Sequence, residues 1–475
     1  MRREYLPNID LEKWADLNDV QRNGVCIHSA EDGKGKRIVM SFRPDSLQQE
    51  KPLVTVPQHL ILSLETVWVY AKSDRQLEEV LNAVGDFART ARGAILIFLL
   101  LQLSHNASAG PDKVAVSTPW SQYVMFVPPE DRLPTFWTEG ERALAAGTSL
   151  QAALDSKLRS LEREFVHLRD STSSIGWCQR RWWNAGAEGL YFDDWKGVDS
   201  MYRSRALDLP GTGHAMVPYI DMANHASGDD TVALYDTDSD GNAVLVLREG
   251  KTLQVGGEVT ITYGDDKGAC EMLFSYGFIE MDSAREMFLD LEIPDDDPLK
   301  LAKKTVAKSP PGFKLFESGG SVDWDGDFIW LVCVNEEDGL RFRLLQTVDG
   351  ERELKMFWND KEISRESNLR DLLKDEQLWD VFQLRAVATL QNRVEQQLLA
   401  LEKVKASKSS MHEFQEGGHP HFHVIELREL EEKLMLQAYE DFEHKKNALL
   451  ASRVIQDYLA SANKEKGTPA EDHFT

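Results

Sequence analysis

The spacing of apolar residues changes along the chain, and each change predicts a different element. Residues 20–65 read as short strands and turns: Ile38-Val39-Met40 follow Gly33-Lys34-Gly35, and Leu53 to Val56 is stopped by Pro57. From Ser73 to about His167 the pattern turns helical. Ser73 and Asp74 suit a cap, and Leu77, Val80, Leu81, Val84 and Phe87 recur at helical spacing. Thr138 with Glu141 fits a capping box. Leu150, Leu154, Leu158, Leu161, Phe165 and Leu168 step by three and four, which predicts an amphipathic helix with its stripe in a core. The apolar run Ala94 to Leu103 is about half the length that crosses a bilayer, so it predicts a buried helix and no membrane span.

Strand character returns near Met216. The run Ala215 to Ile220 reads as a strand, as do Val232 to Tyr235, Ala243 to Leu247 and Glu258 to Thr262, with Asp238-Ser239-Asp240-Gly241 as a hairpin turn. The acidic run from Asp236 mimics the start of a calcium loop, but Leu247 stands where the bidentate Glu is needed. The acidic, proline-bounded stretch Pro294 to Pro298 marks a domain boundary. Beyond it, Phe313 to Met356 has some strand character. Leu384, Val387, Leu390, Val394, Leu398 and Leu401 then share one helical face, and Leu427, Leu430, Leu434 and Phe442 another. Between them Lys405 to His423 reads as a polar loop. It carries His419, His421 and His423, an alternating set that suits solvent better than a closed metal site, and no metal is expected.

At 475 residues the chain is too long for one ordinary core, which favours two domains. The formal net charge of −25 argues against nucleic acid as the principal partner and suits a basic protein, which an acidic surface would steer. Cys26, Cys178, Cys270 and Cys333 are far apart with no CxxC pair, so neither a disulfide framework nor structural zinc is expected. The N-terminus lacks a charged-then-apolar signal pattern, and a cytoplasmic or nuclear monomer is the expectation.

Three short stretches carry chemistry: Asp221-Met222-Ala223-Asn224-His225, then Ile261-Thr262-Tyr263-Gly264, then Ser275-Tyr276-Gly277-Phe278. In this order and spacing they resemble the core of a SET-domain methyltransferase, more narrowly the Rubisco large-subunit methyltransferase group. The resemblance implies an α+β fold: a SET-type β core over 1–285, interrupted by a helical insertion at about 73–200, then a mostly helical substrate-binding domain over 295–465. It also implies S-adenosylmethionine as methyl donor and a protein lysine as acceptor, on a basic protein such as a ribosomal protein or translation factor. A histidine acceptor, or an inactive SET scaffold that binds a partner, stays open as an alternative.

The resemblance also implies roles for single residues. Tyr263 would be the catalytic tyrosine, with Tyr276 beside it at the channel. A phenol with a pKa near ~10 is a poor base at neutral pH, so Tyr263 positions the amine rather than deprotonating it. Asn224 and Asp221 would line the donor pocket with the backbone of His225, whose side chain is expected to be structural. Arg205 would pair with the donor carboxylate, a task that suits a forked guanidinium. The second family arginine has no counterpart, since Leu209 stands there. Gly33, Lys34 and Gly35 would let the backbone approach the donor, and Phe278 would stack on its adenine.

Overall fold

The computed structural model describes residues 4–29, 35–42, 51–107, 113–127, 133–265, 267–280, 285–346, 352–364, 366–408 and 419–466. Contacts divide the chain into two compact units. The first comprises Met1–Glu139, Ala153–Lys267 and Glu271–Asp282; the second comprises Gly140–Ala152, Gly268–Cys270 and Ser283–Thr475.

In the first unit, an antiparallel sheet runs in the order Gln21–Arg22, Val54–Val56, Ala243–Leu247, Ala233–Thr237. Val54, Val56, Ala243 and Leu245, on one face of it, are completely buried. The last two strands form the expected hairpin. Asp238 shapes its turn by accepting the backbone N–H groups of Asp240 (2.9 Å) and Asn242 (2.8 Å), so the acidic run here builds a turn. Val25–Ser29 and Lys36–Met40 form a separate antiparallel ribbon. Asn224–His225 and Thr260–Ile261 pair in parallel, so two of the stretches singled out in the sequence run side by side.

Helices that lie between these strands in sequence contribute to the same buried core. Asp74 caps Arg75–Val84 through the N–H groups of Gln76 and Leu77, at 3.0 and 3.1 Å. The apolar run lies in Ala91–Ala107, whose residues Gly93 to Gln102 are all buried, as expected of a helix apolar on every side. No helix among the described residues is long and apolar enough to cross a membrane. Arg92, at the start of this helix, binds Glu164 (3.0 and 2.9 Å) and the fully buried Asp199 (2.6 Å), and Lys157 reaches Asp199 at 2.8 Å. Burial alone would raise the pKa of Asp199; Lys157, Arg92 and Arg203 outweigh it and hold the carboxyl below its ordinary value. This network fixes the helix Phe192–Arg205, which ends on Arg205.

The second unit opens with two three-stranded antiparallel sheets. One is Glu286–Asp290, Gly312–Ser318 and Ser321–Asp325; the other is Leu340–Gln346, Arg352–Trp358 and Lys361–Ile363. Two long helices follow, Trp379–Lys408 and His419–Leu450. The acidic stretch after Pro294 is folded, because Asp297 pairs with Lys303, a fully buried ammonium that also donates to the Val334 carbonyl at 2.7 Å.

Two local expectations need correction. The stretch Lys405 to His423 is not one loop: helix runs to Lys408 and resumes at His419, so the three histidines fall in the first turns of a helix. Their alternation reads as loop only because Gly417, Gly418 and Pro420 flank it, and proline is tolerated in a first helical turn. The side chains of His419 and His421 lie outside the described residues. The apolar run Ala215 to Ile220 is not one strand either. Strand ends at Met216, and Tyr219 turns the chain at φ +72°. Pro218 has no N–H for a ladder, and the Tyr219 N–H is taken by the Tyr123 hydroxyl at 2.8 Å.

Candidate active site

A non-glycine residue at positive φ is strained, and Tyr219 is fully buried besides. Two bonds hold it there: the backbone bond to Tyr123 and a bond from its own hydroxyl to Glu12 at 3.0 Å. The strain redirects the chain into a short 3-10 turn, Ile220–Met222, which delivers Asp221, Asn224 and His225 to the edge of the first unit's core. The Asp221 carboxylate accepts the buried Tyr123 hydroxyl, whose pKa burial and Asp221 both push well up. Its backbone carbonyl accepts from Arg205 Nη1 at 2.9 Å.

Asn224 is half-buried and donates its amide to Glu258 at 2.7 Å. The His225 side chain is only 2% exposed and fully engaged. Its Nδ1 accepts the Tyr263 backbone N–H at 3.0 Å, so the ring proton sits on Nε2, facing Glu280 at 3.1 Å. Ser227 donates to the same carboxylate. The imidazole therefore sets the position of the Tyr263 backbone.

Tyr263 follows the short strand Thr260–Ile261, and its hydroxyl donates to the Ala223 carbonyl at 2.8 Å. Its ring lies between His225, stacked at 5.1 Å between centroids, and Tyr276 at 4.5 Å. Tyr276 is the last residue of the helix Ala269–Tyr276. Gly277 ends that helix at φ +82°, with its N–H on the Leu273 carbonyl at 3.0 Å, a left-handed cap that glycine adopts at little cost. That reversal brings Phe278 back to within 6.2 Å of His225 and 6.4 Å of Tyr276. The Lys267 ammonium sits 5.3 Å from the centre of the Tyr276 ring and binds Glu271 at 2.7 Å. Burial opposes its charge, but Glu271 and Tyr276 outweigh it and leave its pKa raised.

Lys36 donates to the Phe126 carbonyl at 2.6 Å and lies over the Phe126 ring. Burial, aided by Arg205, lowers its pKa to about 8, against the opposing charge of Asp221. Gly35 precedes it at φ +82°, and a Cβ built there would meet open space. Gly33 and Lys34 lie outside the described residues.

No protein-family model matches the chain. Over 245 residues it is 29% identical to SET domain-containing protein 8 of Schizosaccharomyces pombe, across 49% of this chain and 54% of that one. Over 215 residues it is 25% identical to the chloroplastic fructose-bisphosphate aldolase-lysine N-methyltransferase of Arabidopsis thaliana, across 44% and 43%. The structure of Rubisco LSMT bound to AdoMet matches with a TM-score of 0.64 at 18% identity, over 98% of each chain. The SET domain of LSMT bound to lysine and AdoHcy matches with a TM-score of 0.66 at 18% identity, over 97% and 96%. The chain has the fold of Rubisco LSMT, and about half of it is similar in sequence to a SET domain-containing protein. It spans about half the length of the curated relatives it matches.

The expected α+β architecture is present across the chain. Of the residues singled out in the sequence, Tyr263, Tyr276, Phe278 and His225 meet in one aromatic cluster. Arg205 and Asp221 meet, the arginine donating to the Asp221 backbone carbonyl. Sequence reasoning missed Lys36, Tyr123, Lys267 and Glu280. Lys36 directly follows the glycine pair, and Lys267 and Glu280 flank the tyrosine motifs, so a search of motif borders would find three of the four. Tyr123 is distant in sequence and gives no such signal.

Proposed function

We propose that this chain is an S-adenosylmethionine-dependent methyltransferase whose acceptor is a lysine of a protein. The observation that carries the reading is the Tyr263 hydroxyl on the Ala223 carbonyl at 2.8 Å. That bond uses the phenol's only proton, so toward an incoming amine the oxygen acts as an acceptor and not as a donor. It can accept an N–H from an incoming amine and turn the amine's own lone pair away from itself. A base is not required of it, and its ring is held on two sides by His225 and Tyr276.

An amine must be neutral to act as a nucleophile, and a lysine in water has a pKa near ~10.4. Aromatic walls supplied by Tyr263, Tyr276 and Phe278 exclude water and favour the neutral form. The residues on the other side fit the donor. Arg205 presents a cation for a carboxylate, and Gly35 leaves room where any other residue would project a side chain. When bound, S-adenosylmethionine supplies an electrophilic methyl group on a sulfonium. The protein's contribution is alignment, which can lower a barrier by several kcal/mol, on the order of the lost entropy of bringing reactants together.

The names of the relatives support lysine as acceptor: the Arabidopsis thaliana enzyme is an aldolase-lysine N-methyltransferase, and the SET domain of LSMT was solved bound to lysine. The net charge of −25 favours a basic protein, with ribosomal proteins and translation factors as the class to search first. The test is transfer of a radiolabelled methyl group from S-adenosylmethionine to proteins of a cell extract. Incorporation that disappears when Tyr263 is changed supports the reading. Donor binding without incorporation would instead favour a scaffold.

A further inference from the structure

In the aromatic cluster of Tyr263, Tyr276, Phe278 and His225, Tyr276 sits at a helix end, and that end is held from outside. Tyr276 closes the helix Ala269–Tyr276, whose last four carbonyls have no partner within the helix. The Gly277 N–H takes that of Leu273 at 3.0 Å. That of Phe274 accepts from Nη1 of Arg203 at 3.0 Å, and the Arg203 guanidinium also lies over the Phe274 ring, 4.3 Å from its centre. A cation on the C-terminal carbonyls of a helix satisfies a bond and complements the helix dipole. One side chain thus grips Phe274 by its backbone and by its ring, two residues before Tyr276.

Arg203 is itself held. It lies on the helix Phe192–Arg205 with its side chain only 11% exposed. Its Nη2 donates to the Thr135 hydroxyl at 3.2 Å, and its Nε stands 3.8 Å from the carboxylate of Asp199 one turn earlier. Thr135 and Asp199 are both buried, and Asp199 is bound in turn by Arg92 and Lys157. A continuous line of contacts therefore runs from the buried charges around Asp199 to the helix that carries Tyr276.

We propose that Arg203 is a positioning residue for methyl transfer: it fixes the end of this helix so that the Tyr276 ring stays 4.5 Å from that of Tyr263. This role deepens the lysine-methyltransferase reading given above and rests on it. The alternative is a guanidinium that only stabilises the fold. The two differ in whether the loss passes through Tyr276. A wall of the acceptor site that drifts misaligns the amine and slows transfer, while the donor contacts proposed for Arg205 and Gly35 are left alone.

The experiment follows methyl transfer by the full chain from saturating radiolabelled S-adenosylmethionine to proteins of a cell extract, beside calorimetry with S-adenosylhomocysteine. Arg203→Met keeps the stem and drops the hydrogen bonds; it should slow transfer about tenfold and leave the dissociation constant within about twofold of wild type. Arg203→Lys should recover part of the rate, because an ammonium can still donate to the Phe274 carbonyl. In a Tyr276→Ala background no ring is left to place, so adding Arg203→Met should cost less than about twofold more, a coupling that a purely structural role does not produce. Thr135→Val, a milder change that removes the acceptor of Nη2, should slow transfer by a smaller factor with the same dependence on Tyr276, and it decides the matter if Arg203→Met does not fold. An equal cost of Arg203→Met with and without Tyr276, or unchanged transfer by a folded Arg203→Met beside an active wild type, would overturn the positioning role and leave the site reading standing. Absence of transfer by wild type would overturn both.

Discussion

Changing Tyr263 to Phe removes one oxygen and leaves the ring where it is, held by His225 at 5.1 Å and Tyr276 at 4.5 Å. The lost bond to the Ala223 carbonyl is neutral and 2.8 Å long, so stability should fall by about 1 kcal/mol. The donor contacts proposed for Arg205 and Gly35 are untouched, so the donor dissociation constant should stay within about threefold of wild type. The transition state loses its positioning acceptor. By comparison with single groups that act only in the transition state, this costs about 3 kcal/mol, or more than a hundredfold in rate. Calorimetry with S-adenosylhomocysteine measures the first quantity, and label transfer at saturating donor measures the second. A variant that binds donor normally and turns over at the wild-type rate would refute the positioning role. A variant that loses donor binding as well would show that the hydroxyl shapes the pocket and not the reaction.

Arg205→Ala should weaken donor binding tenfold to a hundredfold, about 1.5–3 kcal/mol for a charge-assisted pair, checked by the same calorimetry. Asp199→Asn should lower the melting temperature clearly, since a buried partner of Arg92 and Lys157 is lost at a cost of about 3 kcal/mol; thermal denaturation decides it. Glu431, buried in the second unit, accepts the Ser149 backbone N–H at 3.0 Å, and burial raises its pKa from 4.5 to about 7. A raised carboxyl contributes stability below pH 4.5 that is lost as pH rises through about 7, worth about 3 kcal/mol across that window. Glu431→Gln should therefore flatten the dependence of melting temperature on pH over this range and melt higher than wild type at pH above 7.

Much of the helical insertion was legible because its signals are local. Asp74 caps where a cap was expected, and the helix Ser149–Thr172 covers the whole leucine stripe from Leu150 to Leu168. The strand Ala243–Leu247 matches its predicted bounds for the same reason: its hairpin turn is written in adjacent residues. The run at Ala215 to Ile220 misled because apolar content alone does not distinguish a strand from a buried turn. What bends Tyr219 is a hydroxyl from Tyr123, far away in sequence. In the site, the motif residues were legible by resemblance, but their couplings were not. That His225 sets Tyr263 through a ring nitrogen, and that the Lys36 ammonium rests on the Phe126 carbonyl, depend on contacts between segments far apart in sequence. The segment Gly140–Ala152 clusters with the second unit although the rest of its helix belongs to the first. Bonds from Arg428 to the Leu144 and Ala146 carbonyls, at 2.7 and 2.9 Å, secure it there, and no periodicity announces them.

The central claim is that this chain transfers a methyl group from S-adenosylmethionine to the side chain of a protein lysine. The most direct measurement supplies the protein with trideuteromethyl-labelled donor and a cell extract, then maps the heavy methyl group by tandem mass spectrometry. The account predicts the label on a lysine ε-nitrogen of a basic protein, absent from a parallel reaction with the Tyr263→Phe variant. Label on a histidine ring, or none at all from a protein that binds the donor, would contradict it.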